Sequence, residues 1–289
     1  KPGKLASIKA PMIDGFIAKR RKERGQKAGS TISPATVNRD LRYIKAALRC
    51  AEEWEYIPRA PRIKMLREPE KLVRYVTPEH FEAIYSKGCK VATRSSPNHP
   101  SCRGQNFTPE DWWKALVVFL YMTGWRIDSA LSLRWEDIDA KEGTAFSRHE
   151  DNKGKRDQLV QLHPIVLEHL ERIRGFGALV FAWPHDTTLL YKQFRLIQEG
   201  AVDDDKKRMI NLPCRESHEH TPFCSVYGFH DFRRAFATAN AETLSADALQ
   251  RLMQHKSYLT TQRYINMAHQ VKQAAEKLHV PDVLKKGAG

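Results

Sequence analysis

In the stretch "LMQHKSYLTTQRYI" a histidine, His255, is followed nine residues later by a tyrosine, Tyr264. Three other stretches carry side chains of related chemical use. Arg126 stands in "TGWRIDSALSLRWEDID", directly after an apolar run and a glycine, and Lys153 stands at a turn in "NKGKRDQLVQL". His230 and Arg233 in "GFHDFRRAFAT" are three residues apart, so a helix puts them on one face. Each alone has an ordinary reading: a surface charge, turn chemistry, a helix cap, a packed aromatic. As a set they hold the groups that attack on a phosphate uses. A guanidinium fork grips phosphate oxygens bidentately and stays charged. An imidazole moves protons near neutral pH, and a phenol oxygen can form a covalent bond to the centre it attacks.

Positioning such groups falls to a mainly helical chain. Residues 5 to 24 read as one helix ending in the basic run "AKRRKERG". Ser33 caps the next, with Pro34 at its first position. Val37, Leu41, Ile44, Leu48, Ala51 and Trp54 then recur every three or four residues as a stripe to be buried. Arg39, Arg42, Lys45 and Arg49 fall mostly off that stripe, where they are free to meet phosphates. "PRAPRIKMLREPEKLVRY", with three prolines, reads as an extended linker, wrapped on the same polyanion. Thr77–Pro78–Glu79 caps the start of a second domain, and "PEDWWKALVVFLYMTGWR" is an apolar helix that stops at Thr123–Gly124. In "DIDAKEGTAFSRHEDNKGKRDQLVQLHP" the period changes to short runs broken at Glu142–Gly143 and Lys153–Gly154, a small antiparallel sheet of two or three strands. Helical patterns resume at Pro164, with a polar insertion near 200 to 228. Two domains are expected, residues 1–75 and 76–289.

Charge separates the two. Residues 1 to 75 hold 19 Lys and Arg against 8 Asp and Glu, a balance of +11 out of the chain's +14, so the first domain is expected to grip a polyanion and the second to act more specifically. No stretch reaches the roughly 18 to 20 apolar residues of a membrane span, and the first residues lack the apolar core of a signal peptide. The chain begins at Lys1 without methionine, and an earlier segment is expected to precede it. Five cysteines, an odd number in a chain this long, argue for a reducing, intracellular compartment rather than a disulfide framework.

The motifs "TGWRIDSALSLRWEDID", "NKGKRDQLVQL", "HDFRRAFAT", "LMQHKS" and "TTQRYI", in this order and with these internal spacings, resemble those of the tyrosine recombinase (phage integrase) family. The resemblance covers nearly the whole chain. It implies a helical core-binding domain followed by a mostly α catalytic domain with a small antiparallel sheet. It implies site-specific cutting and rejoining of double-stranded DNA through a 3′-phosphotyrosyl intermediate, as in integration or excision of a mobile element, with no cofactor for catalysis. In that chemistry Arg126 and Arg233 hold the scissile phosphate, Lys153 protonates the leaving 5′-oxygen, His230 exchanges a proton with Tyr264, His255 donates a further hydrogen bond to the phosphate, and Tyr264 attacks. Lys155, two residues from Lys153, is the alternative lysine. The family works as a homo-tetramer on DNA, and "MAHQVKQAAEKLHVPDVL" beyond Tyr264 is long enough for the C-terminal helix that docks on a neighbouring protomer. A bacterial or phage-encoded protein acting in the cytoplasm on the nucleoid is implied. Two positions depart from the family pattern: Ser129 stands where an acidic residue is usual three after the first arginine, and Gln254 stands where glycine commonly precedes the histidine.

The insertion before His230 contains "CRESHEHTPFC". Cys214, His218, His220 and Cys224 are donors of the kind zinc uses, four within eleven residues, and would form a structural site bracing the loop that leads to His230. A polar loop with incidental His and Cys is the plain alternative. Two other functions compete with strand exchange: DNA relaxation of the type IB topoisomerase kind, and a DNA-binding protein that has lost catalysis.

Overall fold

The computed structural model describes residues 4–25, 29–69, 74–95, 102, 104–151, 155–202, 204–207, 209–210, 226–241, 243–253, 257–262 and 264–265, with the side chains of 93–95 left aside. These residues form two compact units, one from the N-terminal segment up to residue 69 and one from residue 74 onward.

The first unit is built on helices α1 (Ala10–Lys22) and α2 (Pro34–Glu53). The single helix expected over residues 5 to 24 is instead a short 3-10 turn, Leu5–Ser7, followed by α1. Pro11 explains the break: its ring and missing N–H are tolerated in a first turn but not inside a helix, and Lys9 before it is extended. α2 starts as its cap residues dictate, with the Ser33 hydroxyl accepting from the Thr36 N–H. Val37, Leu41, Leu48 and Ala51 are buried and Ile44 packs at the edge of the same cluster. Trp54, expected in that stripe, is 66% exposed, because α2 ends at Glu53 and the chain turns away at Trp54.

The proline-rich segment after α2 is extended, as its prolines require, but part of it belongs to this unit's core. Ile57 and Ile63 are buried there. The buried Asn38 side chain donates to the Leu66 carbonyl at 2.9 Å and to a Glu68 carboxylate oxygen at 2.7 Å, and accepts from the Leu66 N–H at 2.8 Å. An amide in the apolar face of α2 therefore fixes the strand-like segment in register, supplying the pairing that its backbone lacks in any sheet.

The second unit surrounds α5 (Pro109–Thr123), which is predominantly apolar beyond its first turn and largely buried, with Trp112, Trp113, Leu116, Phe119 and Leu120 at 0% exposure. Against α5 pack α4 (Cys89–Ser95), α7 (Pro164–Arg172) and α9 (Phe229–Asn240). α3 (Pro78–Ala83), capped by Thr77, runs through a π-turn at Ile84–Gly88 into α4. The short α6 (Ile127–Leu131) leads to a 3-10 turn at Trp135–Asp137 and then to a three-stranded antiparallel sheet, β1 (Ile138–Asp139), β2 (Thr144–Ser147) and β3 (Gln158–Gln161), in sequence order. Thr144 pairs with both Asp139 and Gln161. Gly143 turns the first hairpin with φ 66°. α8 (Thr187–Glu199) and α10 (Ala246–Leu252) complete the unit, followed by helical residues 258–262 and 264–265. Among the described residues no helix is long and apolar enough to cross a membrane.

Candidate active site

Two helix ends meet at Arg233. α5 closes on Gly124 in the left-handed conformation, φ 66°, where glycine has no Cβ penalty. A Cβ there would also lie 2.6 Å from Cδ1 of Phe236, so nothing larger fits against α9. The Gly124 carbonyl, left without a partner inside its helix, accepts from Nη1 of Arg233 at 2.6 Å. Nη2 of the same guanidinium donates to the carbonyl of Met253, the residue that ends α10. One cation thus serves the negative ends of two helix dipoles.

Arg233 is 1% exposed, and yet its Nε has no hydrogen-bond partner among the described residues. Arg126, which begins α6 two residues after Gly124, has a buried Nη1 in the same condition. Buried donors left open are rare and call for an explanation. Burial first, then the neighbouring Arg126, pushes Arg233 down to about 9, with Tyr264 opposing the shift. Burial likewise lowers Arg126, again opposed by Tyr264. A buried guanidinium with a half-buried one near enough to lower it is suited to hold an anion.

Tyr264 is 9% exposed and packs with Phe236, Ala237, Leu249 and Met253. Its phenol lies close enough to act electrostatically on both guanidiniums. His230 starts the same helix that carries Arg233, one turn earlier, and its outer surface is open to solvent. Partial burial of the imidazole, then the charges of Arg234 and Arg233, hold it below the ordinary 6.5, with Asp231 opposing and Arg126 adding a smaller push. The structure therefore brings Arg126, His230, Arg233 and Tyr264 to one place. Lys153 and His255 lie outside the described residues, as do Cys214, His218, His220 and Cys224. Among the described residues no group of three or more His, Cys, Asp or Glu could hold a metal ion.

Two supporting residues were not singled out from sequence. Asp231, 4% exposed, accepts from the Gly228 N–H at 2.9 Å and so caps the start of α9. It also pairs with Arg234 at 2.9 Å and with Arg74 at 3.2 Å, whose Nη2 donates in addition to the Val226 carbonyl at 2.8 Å. Its place in the first turn of a helix opening on glycine was the available signal. Ser129, noted above only as a departure, is buried, and its hydroxyl donates to the Asp151 carbonyl at 3.3 Å.

Arg39, Arg42, Lys45 and Arg49 belong to the other unit. Along α2 the three arginines are exposed and Lys45 is half-buried. Tyr43, 71% exposed, stands among them and adds an aromatic face to the basic one.

The sequence pattern of the phage integrase family matches residues 105–270. The integrase of Salmonella phage P22 is 23% identical over 239 residues, which cover 81% of this chain and 54% of that protein, so the chain spans about half the length of this curated relative. The fold is similar to that of the Tn1549 transposon integrase in complex with a circular intermediate DNA, at a TM-score of 0.63 and 20% identity over 90% of this chain and 82% of that one. It is also similar to a lambda integrase dimer bound to a COC′ core site, at 0.59 and 19% identity over 97% and 87%.

Proposed function

Since the chain belongs to the phage integrase family, we propose that it is a site-specific DNA recombinase whose Tyr264 attacks the scissile phosphate and carries the cut strand as a 3′-phosphotyrosyl link. The observation that carries this reading is a nearly buried phenol beside a buried guanidinium, Arg233, and a half-buried one, Arg126, each with a buried N–H left open among the described residues. In this reading Arg126 and Arg233 hold the non-bridging oxygens, where the transition state gathers charge. His230 takes the phenol proton, Lys153 gives one to the leaving 5′-oxygen, and His255 adds a hydrogen bond to the phosphate. No water enters, so the energy of the broken bond is kept for rejoining. Residues 1–75 act as the core-binding domain, with Arg39, Arg42, Lys45 and Arg49 on phosphates, and residues 76–289 as the catalytic domain. Exchange of strands between two sites requires a tetramer, held by the segment after Tyr264.

The test is a pool of nicked DNA duplexes of randomised sequence, incubated with the protein and resolved under denaturing conditions. A covalent protein–DNA adduct, mapped by mass spectrometry to Tyr264 and enriched in particular sequences, is the expected result. An adduct without sequence preference favours topoisomerase-like relaxation, and DNA binding without an adduct means a silent binding protein.

The depressed pKa of His230 gives a second expectation. The neutral imidazole is the proton acceptor, so single-turnover cleavage should stay level at neutral pH and fall as pH drops through a value below 6.5. His230→Gln should lower the rate roughly 100-fold or more and remove that acidic limb. The folded state also loses stability as pH falls through this window, since the unfolded histidine binds its proton first, and the profile is read above the unfolding transition.

Cys214, His218, His220 and Cys224 are proposed as a structural zinc site that braces the segment before His230. Metal analysis of the purified protein checks it, with about one equivalent expected of a site of this donor set.

A further inference from the structure

α6 holds more than Arg126. Arg126 begins this one-turn helix, the Arg126 carbonyl accepts from the Ala130 N–H at 3.0 Å, and Ser129 points its hydroxyl from the same turn to the Asp151 carbonyl. Asp151 lies four residues beyond the end of β2, and the path to it is fastened stepwise. Arg148 donates from Nε to Asp137 at 2.9 Å and from Nη2 to Glu136 at 2.7 Å, both on the 3-10 turn after α6. The Asp151 N–H returns to the Arg148 carbonyl at 3.2 Å. Across the base of the connection, the Asp157 carboxylate accepts from the His149 N–H at 2.7 Å. Among the described residues Ser129 supplies the tie at Asp151, two positions before Lys153 in sequence.

We propose that Ser129 is a positioning residue that fixes the lysine-bearing β2–β3 connection to the turn that presents Arg126, so that the proton donor and the phosphate clamp keep one register. A carbonyl acceptor suits this task because it is fixed in the backbone and needs no particular charge on residue 129. A hydroxyl can make the bond and an alanine cannot. The inference rests on the reading of Lys153 as general acid, and its test is chosen to separate the two. In cleavage, the Tyr264 oxygen forms a bond to phosphorus while the bond from phosphorus to the 5′-oxygen breaks. The electron pair goes to the 5′-oxygen, which takes its proton from the Lys153 ammonium. With sulfur in place of that bridging oxygen, a thiolate leaves without needing a proton.

The experiment measures single-turnover adduct formation on nicked duplexes carrying a sequence enriched in the pool, with either oxygen or sulfur at the bridging position. Ser129→Ala should slow cleavage of the oxygen substrate roughly ten- to a hundredfold, the range expected when a general acid is misplaced but present. It should cleave the sulfur substrate at the wild-type rate and bind DNA as wild type does. Ser129→Thr, which keeps the hydroxyl, should recover most of the oxygen rate. An equal loss on both substrates places the fault in the clamp or the fold, and no loss on either makes the bond irrelevant; both overturn the inference. Lys153→Ala run alongside separates the premises. If sulfur rescues it while Ser129→Ala is not rescued, only the inference falls. If sulfur fails to rescue Lys153→Ala, the general-acid reading falls and takes the inference with it.

Discussion

Tyr264→Phe should form no covalent adduct at all on DNA that wild type cuts, while folding and binding as before. Sterics count here as much as chemistry. At 9% exposure the ring fills a cluster with Phe236, Ala237, Leu249 and Met253, and phenylalanine keeps every carbon of that packing. What is lost is one hydroxyl, whose hydrogen bonding contributes about 1 kcal/mol at most sites. Thermal unfolding should therefore move little and retardation of DNA in a gel hardly at all. A residual adduct in the variant, under conditions where wild type gives full yield, would sink Tyr264 as nucleophile. Loss of the adduct together with loss of the folded state would show instead that the hydroxyl is structural.

Arg233→Lys should cost both catalysis and stability, although it keeps the charge. The guanidinium reaches two carbonyls that lie at the ends of two helices, Gly124 and Met253, in directions that a planar fork can satisfy together. An ammonium on its shorter, single-pointed side chain reaches one of them at most. Breaking the second charge-assisted bond inside a site that is 1% exposed removes roughly 2 to 3 kcal/mol. The buried Nε that is open among the described residues vanishes as well. Losing one preorganised donor to a developing negative charge lowers rates roughly 100- to 1000-fold. Cleavage kinetics and urea unfolding on the same preparation check the two effects. A variant with wild-type stability but dead chemistry would contradict the double attachment, and one with wild-type cleavage would remove Arg233 from the phosphate.

The parts of this site that could be read in advance are those carried by short spacing. His230 and Arg233 sit one turn apart, Gly124 closes an apolar run, and Ser33 and Thr77 cap helices as hydroxyls placed before a proline. Distant partners leave no such trace. Arg233 finds Gly124 across 109 residues, Asp231 finds Arg74 across 157, and Asn38 finds Leu66 across 28. Each is a polar group whose mate is set by the fold, not by a period. At two places local pattern and fold disagree: the helical period runs on before Pro11 where the helix does not, and Trp54 keeps the period of a stripe that the helix abandons one residue earlier. The small sheet was legible because Gly143 and the change of period mark its first turn.

The double tie of Arg233 to Gly124 and Met253 bears on how such a chain decays. A lineage released from selection for cutting DNA would keep selection for folding. Arg126 and Tyr264 could then drift to neutral substitutes at little structural cost, whereas loss of Arg233 would release two helix ends at once. Under the proposed reaction, silent descendants of this chain should therefore retain Arg233 long after Tyr264 is gone.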